Sequence, residues 1–320
     1  MGREVIFSDN QERMMANKDK MLSQQPKQLD LYQTLPDLFS WQQEKFRNKD
    51  GTLPVLQRHG RYKGNSYTLD ISPANITLAK GGKTKEKRAF YKTVIAEFVE
   101  YALHKLAISD GLFTADEDKP DSFSLVTTFY AIREELKRMG KHYSYEQTKD
   151  AISILVGLRY ELLGEISKEY DINSFFSPID LTIRHNRKNP LHSELYISFN
   201  KLISKRILAL DWRTFNYEKF MQVKTSFWRT LFLCLTTRFQ QAVPHKGYHF
   251  LLSTLIKEWA LQEDLITTNI KKINDAITDC AYIIENAKTE KQYAINSETN
   301  RQVLADFKVT VFPTKVFQAE

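Results

Sequence analysis

Histidines are the residues of this chain with the widest chemical repertoire, because they bind metals and transfer protons near neutral pH. The seven are His59, His104, His142, His185, His192, His245 and His249. No two are separated by a single residue, which excludes the His-hydrophobe-His metal motif that rolling-circle nicking enzymes combine with a tyrosine nucleophile. His245 and His249 have the spacing of a metalloprotease helix, but Pro244 and Gly247 favour a turn and no glutamate lies between them. We therefore expect this pair to be isolated surface histidines, and we expect no metal site.

The basic stretch from Lys80 to Arg88, KGGKTKEKR, contains the Gly-Lys-Thr ending of a phosphate-binding loop. That motif needs a glycine five positions before Gly82, where this chain has Thr77, so nucleotide binding there is excluded. The stretch is then a solvated loop, the commoner case, or a set of phosphate contacts. Serine nucleophile elbows and glycine-rich dinucleotide loops are absent. We predict a chain that is not an enzyme, with no catalytic residue and no cofactor.

The stretch Ser144–Gly157, SYEQTKDAISILVG, offers a different chemistry. Its polar residues can form hydrogen bonds to other molecules from one face of a helix. Ser144 and Gln147 form a capping-box pattern, and Gly157 is predicted to end the helix because glycine adopts the left-handed conformation cheaply. A period of 3.6 residues predicts one apolar face, formed by Ala151, Ile152, Leu155 and Val156. The opposite face is polar and carries Glu146, Lys149, Asp150 and Ser153.

A related stretch, NIKKINDAITDCA, occurs at Asn269–Ala281. Its segment 275–278 aligns with 150–153, and both copies follow two helical segments and precede strand-like, turn-rich sequence. Chance is the alternative, because amphipathic helices resemble one another. The repeat predicts two helix-turn-helix units whose polar faces contact DNA bases. In the second copy the base-contacting residues are Lys271, Asn274 and Thr278.

Helices must support the first polar helix, and apolar periodicity predicts two of them before it, at Phe90–Ala107 and Phe123–Met139. Gly140 is the predicted stop of the second helix. An acidic link is expected between the two, at Asp110–Asp121. Upstream, the alternation at Tyr67–Ile71 predicts a half-buried strand.

A β-hairpin is predicted after the first polar helix, from alternating apolar residues at Ile179–Ile183 and Leu195–Phe199. Its tip, Arg184–Pro190, carries three basic side chains. Such a tip is either an ordinary hairpin loop or a DNA contact.

The second half repeats this order, with helices predicted at Thr225–Gln241 and Ser253–Leu261, then the second polar helix, a loop at Ala287–Arg301 and a strand at Phe307–Val311. The predicted fold class is therefore α+β and helix-rich, with two tandem winged-helix domains. We expect a mobile N-terminal arm at 1–34, a first domain at 35–210 and a second at 211–320.

The formal net charge of +7 and the pI near 9.1 are compatible with a polyanionic binding partner. Nucleic acid is the first candidate for this partner, and an anionic membrane surface is the second. The sequence contains no run of 18 apolar residues, so no membrane span is predicted. The candidates for phosphate contact are basic residues of the predicted loops and wings, together with one lysine of the second polar helix. They are Lys83, Lys85, Arg184, Arg187, Lys188, Lys272 and Lys288. For any one of them alone, a solvated charge is the commoner case.

Several sequence segments, within roughly residues 85 to 285, resemble those of plasmid replication initiators of the RepA and TrfA type. They are SYEQTKDAISILVGLRYEL, PIDLTIRH, ELYISFNKLISKRI and, the most specific, NYEKFMQVKTSFWRTLF. The resemblance implies binding to repeated double-stranded DNA sites at a plasmid origin, opening of A·T-rich DNA and recruitment of a host initiator and replicative helicase. It also implies a cytoplasmic, plasmid-associated bacterial protein, and a homodimer is possible.

Three rival functions remain open from the residues, one of them a purely structural partner-binding protein without salt-dependent DNA affinity. A winged-helix transcriptional regulator, or an initiator that represses its own gene, binds repeated DNA as well. A DNA-nicking enzyme is of another class and requires a catalytic constellation.

Overall fold

The computed structural model describes residues 47–62, 65–80, 84–109, 113–116, 119–165, 171–200, 217–223, 229, 232, 247–254, 284–295 and 299–314. The helices with bounds in these ranges are α1 (Val94–Ser109), α2 (Phe129–Arg138), α3 (Tyr145–Gly157) and α4 (Tyr217–Gln222). The strands of the N-terminal half are β1 (Leu56–Tyr62), β2 (Asn65–Ser72), β3 (Ala74–Lys80), β4 (Thr84–Phe90), β5 (Phe113–Asp116), β6 (Lys119–Thr128) and β7 (Arg159–Glu165). The others are β8 (Asp171–Phe176), β9 (Ile179–Arg184), β10 (Glu194–Phe199), β11 (Tyr248–Leu251), β12 (Ile284–Ile295) and β13 (Gln302–Pro313).

Strands outnumber helices in the described part of the chain, so the predicted helix-rich α+β class with two tandem winged-helix domains is wrong. Two segments predicted as polar links are antiparallel strand pairs. The predicted loop Lys80–Arg88 supplies most of β4, which pairs with β3. The predicted acidic link Asp110–Asp121 supplies β5 and the start of β6. Polar residues pair well in antiparallel sheets, because one face of such a sheet can remain in water.

The second supporting helix begins later than the sequence predicts, at Phe129 instead of Phe123. Strand β6 continues through Thr128 and pairs with β10, as far as the opposed residues Thr128 and Glu194. β-Branched Val126, Thr127 and Thr128 favour this extended backbone. Thr128 then caps α2, because its side-chain oxygen accepts a hydrogen bond from the backbone N–H of Ala131 at 3.1 Å.

Gly140 ends α2 as predicted. Its φ of +73° is left-handed, a conformation that glycine adopts without a Cβ penalty. The backbone N–H of Gly140 donates to the Lys137 carbonyl, and that of Lys141 donates to the Leu136 carbonyl, both at 2.9 Å. This pair of bonds is a Schellman motif, which satisfies carbonyls that the helix end leaves open.

Four antiparallel sheets organise the described strands, in the orders β1-β2-β7-β8, β5-β6-β10-β9, β11-β13-β12 and β3-β4. The predicted strand Tyr67–Ile71 is confirmed within β2, and the predicted strand after Gly157 is confirmed as β7. The orders β6-β10-β9 and β11-β13-β12 are alike. In each, a strand that leads into helical residues pairs with the second strand of a later hairpin.

Helices α1, α2 and α3 pack together and share one core with the sheets. Leu103 of α1, Ile132 and Leu136 of α2, and Ile152 and Leu155 of α3 are each at most 1% exposed. Core burial of this kind supplies the main stabilisation of the fold, at about 25 cal/mol per Å² of apolar surface. None of the described helices combines the length and the apolar character that crossing a bilayer requires.

A buried ion pair attaches the chain after residue 216 to α1. The Arg229 guanidinium donates to both carboxylate oxygens of Glu97, at 2.8 and 2.6 Å, and to the Val223 carbonyl at 2.7 Å. It also lies 4.4 Å from the centre of the Phe98 ring. Such a fully hydrogen-bonded pair is costly to break, because the remaining charge would be buried alone. The predicted boundary near residue 210 lies outside the described residues and stays a prediction.

Candidate nucleic-acid interface

Helix α3 begins with the predicted capping box. Ser144 Oγ accepts from the backbone N–H of Gln147 at 3.1 Å, and Gln147 Oε1 accepts from the backbone N–H of Ser144 at 2.8 Å. These reciprocal bonds satisfy two donors that a helix start leaves open. The Thr148 hydroxyl donates to the Ser144 carbonyl at 2.9 Å. The start of α3 is therefore held at a defined residue by its own sequence.

Gly157 does not have the predicted role of a left-handed stop. It is the last residue of α3, and Leu158 is the C-terminal cap. A Cβ atom on Gly157 would lie 2.9 Å from the Cβ of Ala74 on β3. Glycine is required here because α3 and β3 approach each other closely.

The buried face of α3 is wider than the predicted apolar face. Ala151, Ile152 and Leu155 are buried as predicted, and Val156 is half-buried. Thr148 and Ile154 are buried as well. The helix contacts α1 and α2 as well as β3 and β9, so neighbours cover more than one side of it.

The polar face of α3 remains accessible. Glu146 and Lys149 are exposed, whereas Asp150 and Ser153 are half-buried. Burial, and then the neighbouring Glu146 carboxylate, raise the pKa of Asp150. The Ser153 hydroxyl donates to the Lys149 carbonyl at 2.9 Å, so its oxygen remains as an acceptor for a partner. Lys149 is therefore the candidate base-contacting side chain on this face that is both exposed and attracted to phosphate.

The predicted hairpin after α3 is confirmed. We use the name first hairpin for β9, β10 and the tip at 185–193. The strands pair in register from Ile179 opposite Phe199 to Arg184 opposite Glu194. The tip residues Arg187 and Lys188 are exposed, as the sequence predicts for phosphate contacts.

Arg184, at the end of β9, has a protein partner. Its Nη1 lies 3.2 Å from Glu194 Oε2. The Tyr196 hydroxyl and the Glu194 carboxylate together raise the pKa of Arg184. A phosphate has to compete with Glu194 for this guanidinium, so Arg187 and Lys188 are the better candidates.

Side chains of the first hairpin order its tip. Asn186 Oδ1 accepts from the backbone N–H groups of Lys188 and Asn189, both at 3.0 Å. Ser193 Oγ accepts from the backbone N–H of Asn186 at 3.1 Å. Asn189 Oδ1 accepts from that of Leu191 at 3.2 Å and caps a short 3-10 helix, Pro190–His192. The basic side chains consequently project from an ordered backbone, which lowers the entropy cost of binding.

An aromatic stack joins the tip to α2, and sequence reasoning missed it. The rings of Tyr130 and His192 are stacked with centroids 5.3 Å apart and an interplanar angle of 24°. Tyr130 is 46% exposed. No sequence signal pairs residues 62 positions apart, so the sequence alone could not predict this stack.

A second hairpin, β12 with β13, replaces most of the loop predicted at Ala287–Arg301. Residues 287–295 are strand because they pair with β13, which the sequence does not show locally. Lys288 is exposed as predicted, but it lies on a strand opposite Thr310. Its ammonium group is 5.8 Å from the centre of the Phe312 ring.

The positions of the other candidate side chains are not described by the structure. Lys85 is part of β4, but its side chain is not described, and Lys83 lies outside the described residues. The second polar helix, Asn269–Ala281, also lies outside them, together with its candidates Lys271, Lys272, Asn274 and Thr278. Within the described ranges no three His, Cys, Asp or Glu side chains are grouped as metal ligands.

No protein-family model and no curated protein matches this chain. Among solved structures, two of RctB domains 2 and 3 are similar, each at 12% identity. The first covers 80% of this chain and 90% of its own, with a TM-score of 0.45. The second covers 83% and 93%, with a TM-score of 0.43. A third similar structure is the Pi initiator protein in complex with iteron DNA, at 12% identity, 69% and 93% coverage and a TM-score of 0.41.

At this identity and with TM-scores below 0.5, the likeness adds no weight to a specific function. The support for a function comes from the residues of this chain.

Proposed function

We propose that this chain is a plasmid replication initiator that binds repeated double-stranded DNA sites at an origin. One observation carries the proposal: the accessible polar face of α3 and the ordered basic tip of the first hairpin belong to one packed unit. Helix α3 contacts β9, and α2 contacts the 3-10 helix of the tip. A helix face beside a basic hairpin matches what a duplex offers, namely base edges in a groove and phosphates at its rim.

In this proposal Lys149 contacts base edges, and Glu146 accepts from a cytosine amino group. Ser153 accepts through its free lone pairs, and Asp150 contributes only where no phosphate lies near it. Arg187 and Lys188 bind phosphates and set the register, with Arg184 in exchange between Glu194 and DNA. Lys271, Asn274 and Thr278, which lie outside the described residues, are proposed as further base contacts on the same DNA.

Origin opening, recruitment of a host initiator and a replicative helicase, and homodimer formation are parts of the same proposal that come from the sequence resemblance. The bacterial cytoplasm as location comes from the resemblance as well, whereas the proposed absence of catalysis rests on the missing catalytic motifs of the sequence. An autorepressor is the alternative, because the same surface would also bind an operator.

Nuclease protection on DNA upstream of the protein's own gene tests DNA binding. We expect regularly spaced protected repeats and an affinity that falls steeply as salt rises. Absence of salt-dependent DNA affinity would show that this is not a DNA-binding protein.

A strand-opening assay on a supercoiled plasmid with these repeats separates the initiator from the regulator. Opening with host factors supports initiation, and protection without opening supports the repressor. Open circles or a covalent protein-DNA adduct, after incubation with metal, would contradict the absence of catalysis.

A further inference from the structure

The far end of the second hairpin carries an exposed apolar patch, which we define as Tyr293, Ile295 and Leu304. These side chains are 57%, 67% and 39% exposed. Tyr293 lies directly opposite Leu304 in the strand register. Ile295 is two residues beyond Tyr293 and therefore projects from the same face of the hairpin.

The patch is separate from the core of this sheet. The buried apolar residues of the hairpin lie between its base and the register shift. They are Ile284, Phe307, Val309 and Val311, each at most 5% exposed. The register shifts between Gln292 and Tyr293, where β13 contains an additional residue. Such a bulge turns the side chains beyond it in a new direction. The apolar patch is thus turned away from the direction set by the base of the hairpin.

The hairpin is anchored directly beside the patch, because Asp306 lies opposite Gln292, the last pair before the register shift. Asp306 Oδ1 accepts from the backbone N–H groups of Ser253 and Phe307 at 3.0 and 2.7 Å, and Asp306 Oδ2 accepts from the Ser253 hydroxyl at 2.5 Å. Asp306 is only 8% exposed. These bonds hold β13 against the helical residues that follow β11.

The size and the surroundings of the patch favour DNA over a protein partner. A large side chain buries about 200 Å², so three of them fall short of the roughly 800 Å² per partner that a stable protein interface needs. Exposed Lys291 and Arg301 lie next to the patch, and Lys288 lies further down β12. A base-pair step offers both an apolar stacking face and phosphates on either side of it.

We propose that the apolar patch is a wedge that inserts between base pairs of duplex DNA from the minor groove, while Lys291 and Arg301 contact the flanking phosphates. The inference rests on the proposed function and adds the means by which bound DNA is unstacked. Apolar side chains inserted in this way unstack and kink a duplex, and any insertion between base pairs unwinds it. DNA that is already unstacked at one step has less stacking to lose when it opens.

Topology measures this without knowledge of the target sequence. The full chain is bound to closed-circular plasmid DNA at low salt, the DNA is relaxed with a topoisomerase and freed of protein, and its linking number is read on a gel. We expect the linking number to fall in proportion to bound protein. The variant Tyr293→Ser/Ile295→Ser/Leu304→Ser should bind within about threefold of the parent affinity, because phosphate contacts dominate it, but cause no change in linking number.

Two matched variants complete the experiment. Tyr293→Phe keeps the ring and should keep the unwinding. Phe175→Ser removes a side chain that is 70% exposed on β8, outside the hairpin, and should unwind DNA like the parent chain. Circular dichroism and sedimentation establish that all variants fold and report their oligomeric state.

Each outcome supports or overturns the wedge. Loss of unwinding with retained affinity supports it. Unwinding by the triple variant, or DNA binding by the parent chain without unwinding, overturns the wedge and leaves the proposed function standing. If the triple variant only shifts a dimer to a monomer, the patch is a self-association surface. If the parent chain does not bind DNA at all, the proposed function fails first.

Discussion

The two hairpins have the same position in their sheets and opposite surfaces. In the first, the far end is basic, with Arg187 and Lys188 exposed on a tip that asparagine side chains order. In the second, the far end carries the apolar patch, and the polar anchor beside it is the buried Asp306.

This difference teaches that strand order alone does not define what a hairpin contacts. The second strand of each hairpin, β10 or β13, also pairs on its other side with a strand that leads into helical residues. That strand is β6 in the first sheet and β11 in the second. Side chains that are exposed beyond the last paired core residues can differ without a loss of core packing. A cationic end suits phosphates, and an apolar end suits stacked bases.

The largest effect is expected at the buried anchor of the second hairpin, Asp306. Asp306→Ala leaves buried backbone donors of Ser253 and Phe307 without their acceptor, and should lower the free energy of unfolding by about 2–4 kcal/mol. Urea denaturation measures this loss. Asp306→Asn keeps an acceptor oxygen and should retain more of the stability. Equal stability of Asp306→Ala and the parent chain would mean that this anchor is unimportant.

The second largest effect is expected from removing the charges at the tip of the first hairpin. Arg187→Ala/Lys188→Ala should lower DNA affinity on the order of tenfold at about 0.1 M salt and make the slope of log affinity against log salt about two units less steep. Fluorescence anisotropy across a salt series measures both. Lys49→Ala, an exposed cation elsewhere, is the control. An unchanged slope would remove the first tip from the interface.

A smaller effect is expected when the tip keeps its charges but loses its order. In Asn186→Ala the backbone N–H groups of Lys188 and Asn189 lose their acceptor, a loss of about 1 kcal/mol. We expect DNA affinity to fall about fivefold with the same salt slope, because no charge is removed. Asn173→Ala, an exposed asparagine on β8, should bind like the parent chain. A shallower slope would show that the tip acts through charge alone.

The smallest effect is expected from the aromatic stack. Tyr130→Ala removes the ring that packs on His192, a contact worth on the order of 0.5–1 kcal/mol. DNA affinity should fall about two- to fivefold, again without a change in salt slope, and Tyr130→Phe should restore it. Failure of the phenylalanine variant to restore affinity would assign the effect to the hydroxyl group and not to stacking.

Local signals predicted much of the interface, because their physics lies within a few residues. The Ser144 capping box, the left-handed Gly140 and the alternation that forms the first hairpin are all as expected. Each depends on bonds or spacing inside one element.

Predictions failed where two distant segments meet. Most of strand β4 was predicted as part of the loop Lys80–Arg88, and most of Ala287–Arg301 as a second loop, because charged residues hide a strand whose partner stabilises it. Their pairing turned a predicted helix-rich fold into a strand-rich one.

By itself the sequence determined where helix α3 starts, which of its faces is polar, and that a basic hairpin follows it. Only the tertiary structure decided why Gly157 must be small, which tyrosine stacks on the first tip, and that Glu194 competes for Arg184. The physical reason is range. Caps and periodicity are set by neighbours along the chain, whereas close approach, stacking and ion pairing depend on residues that only folding brings together.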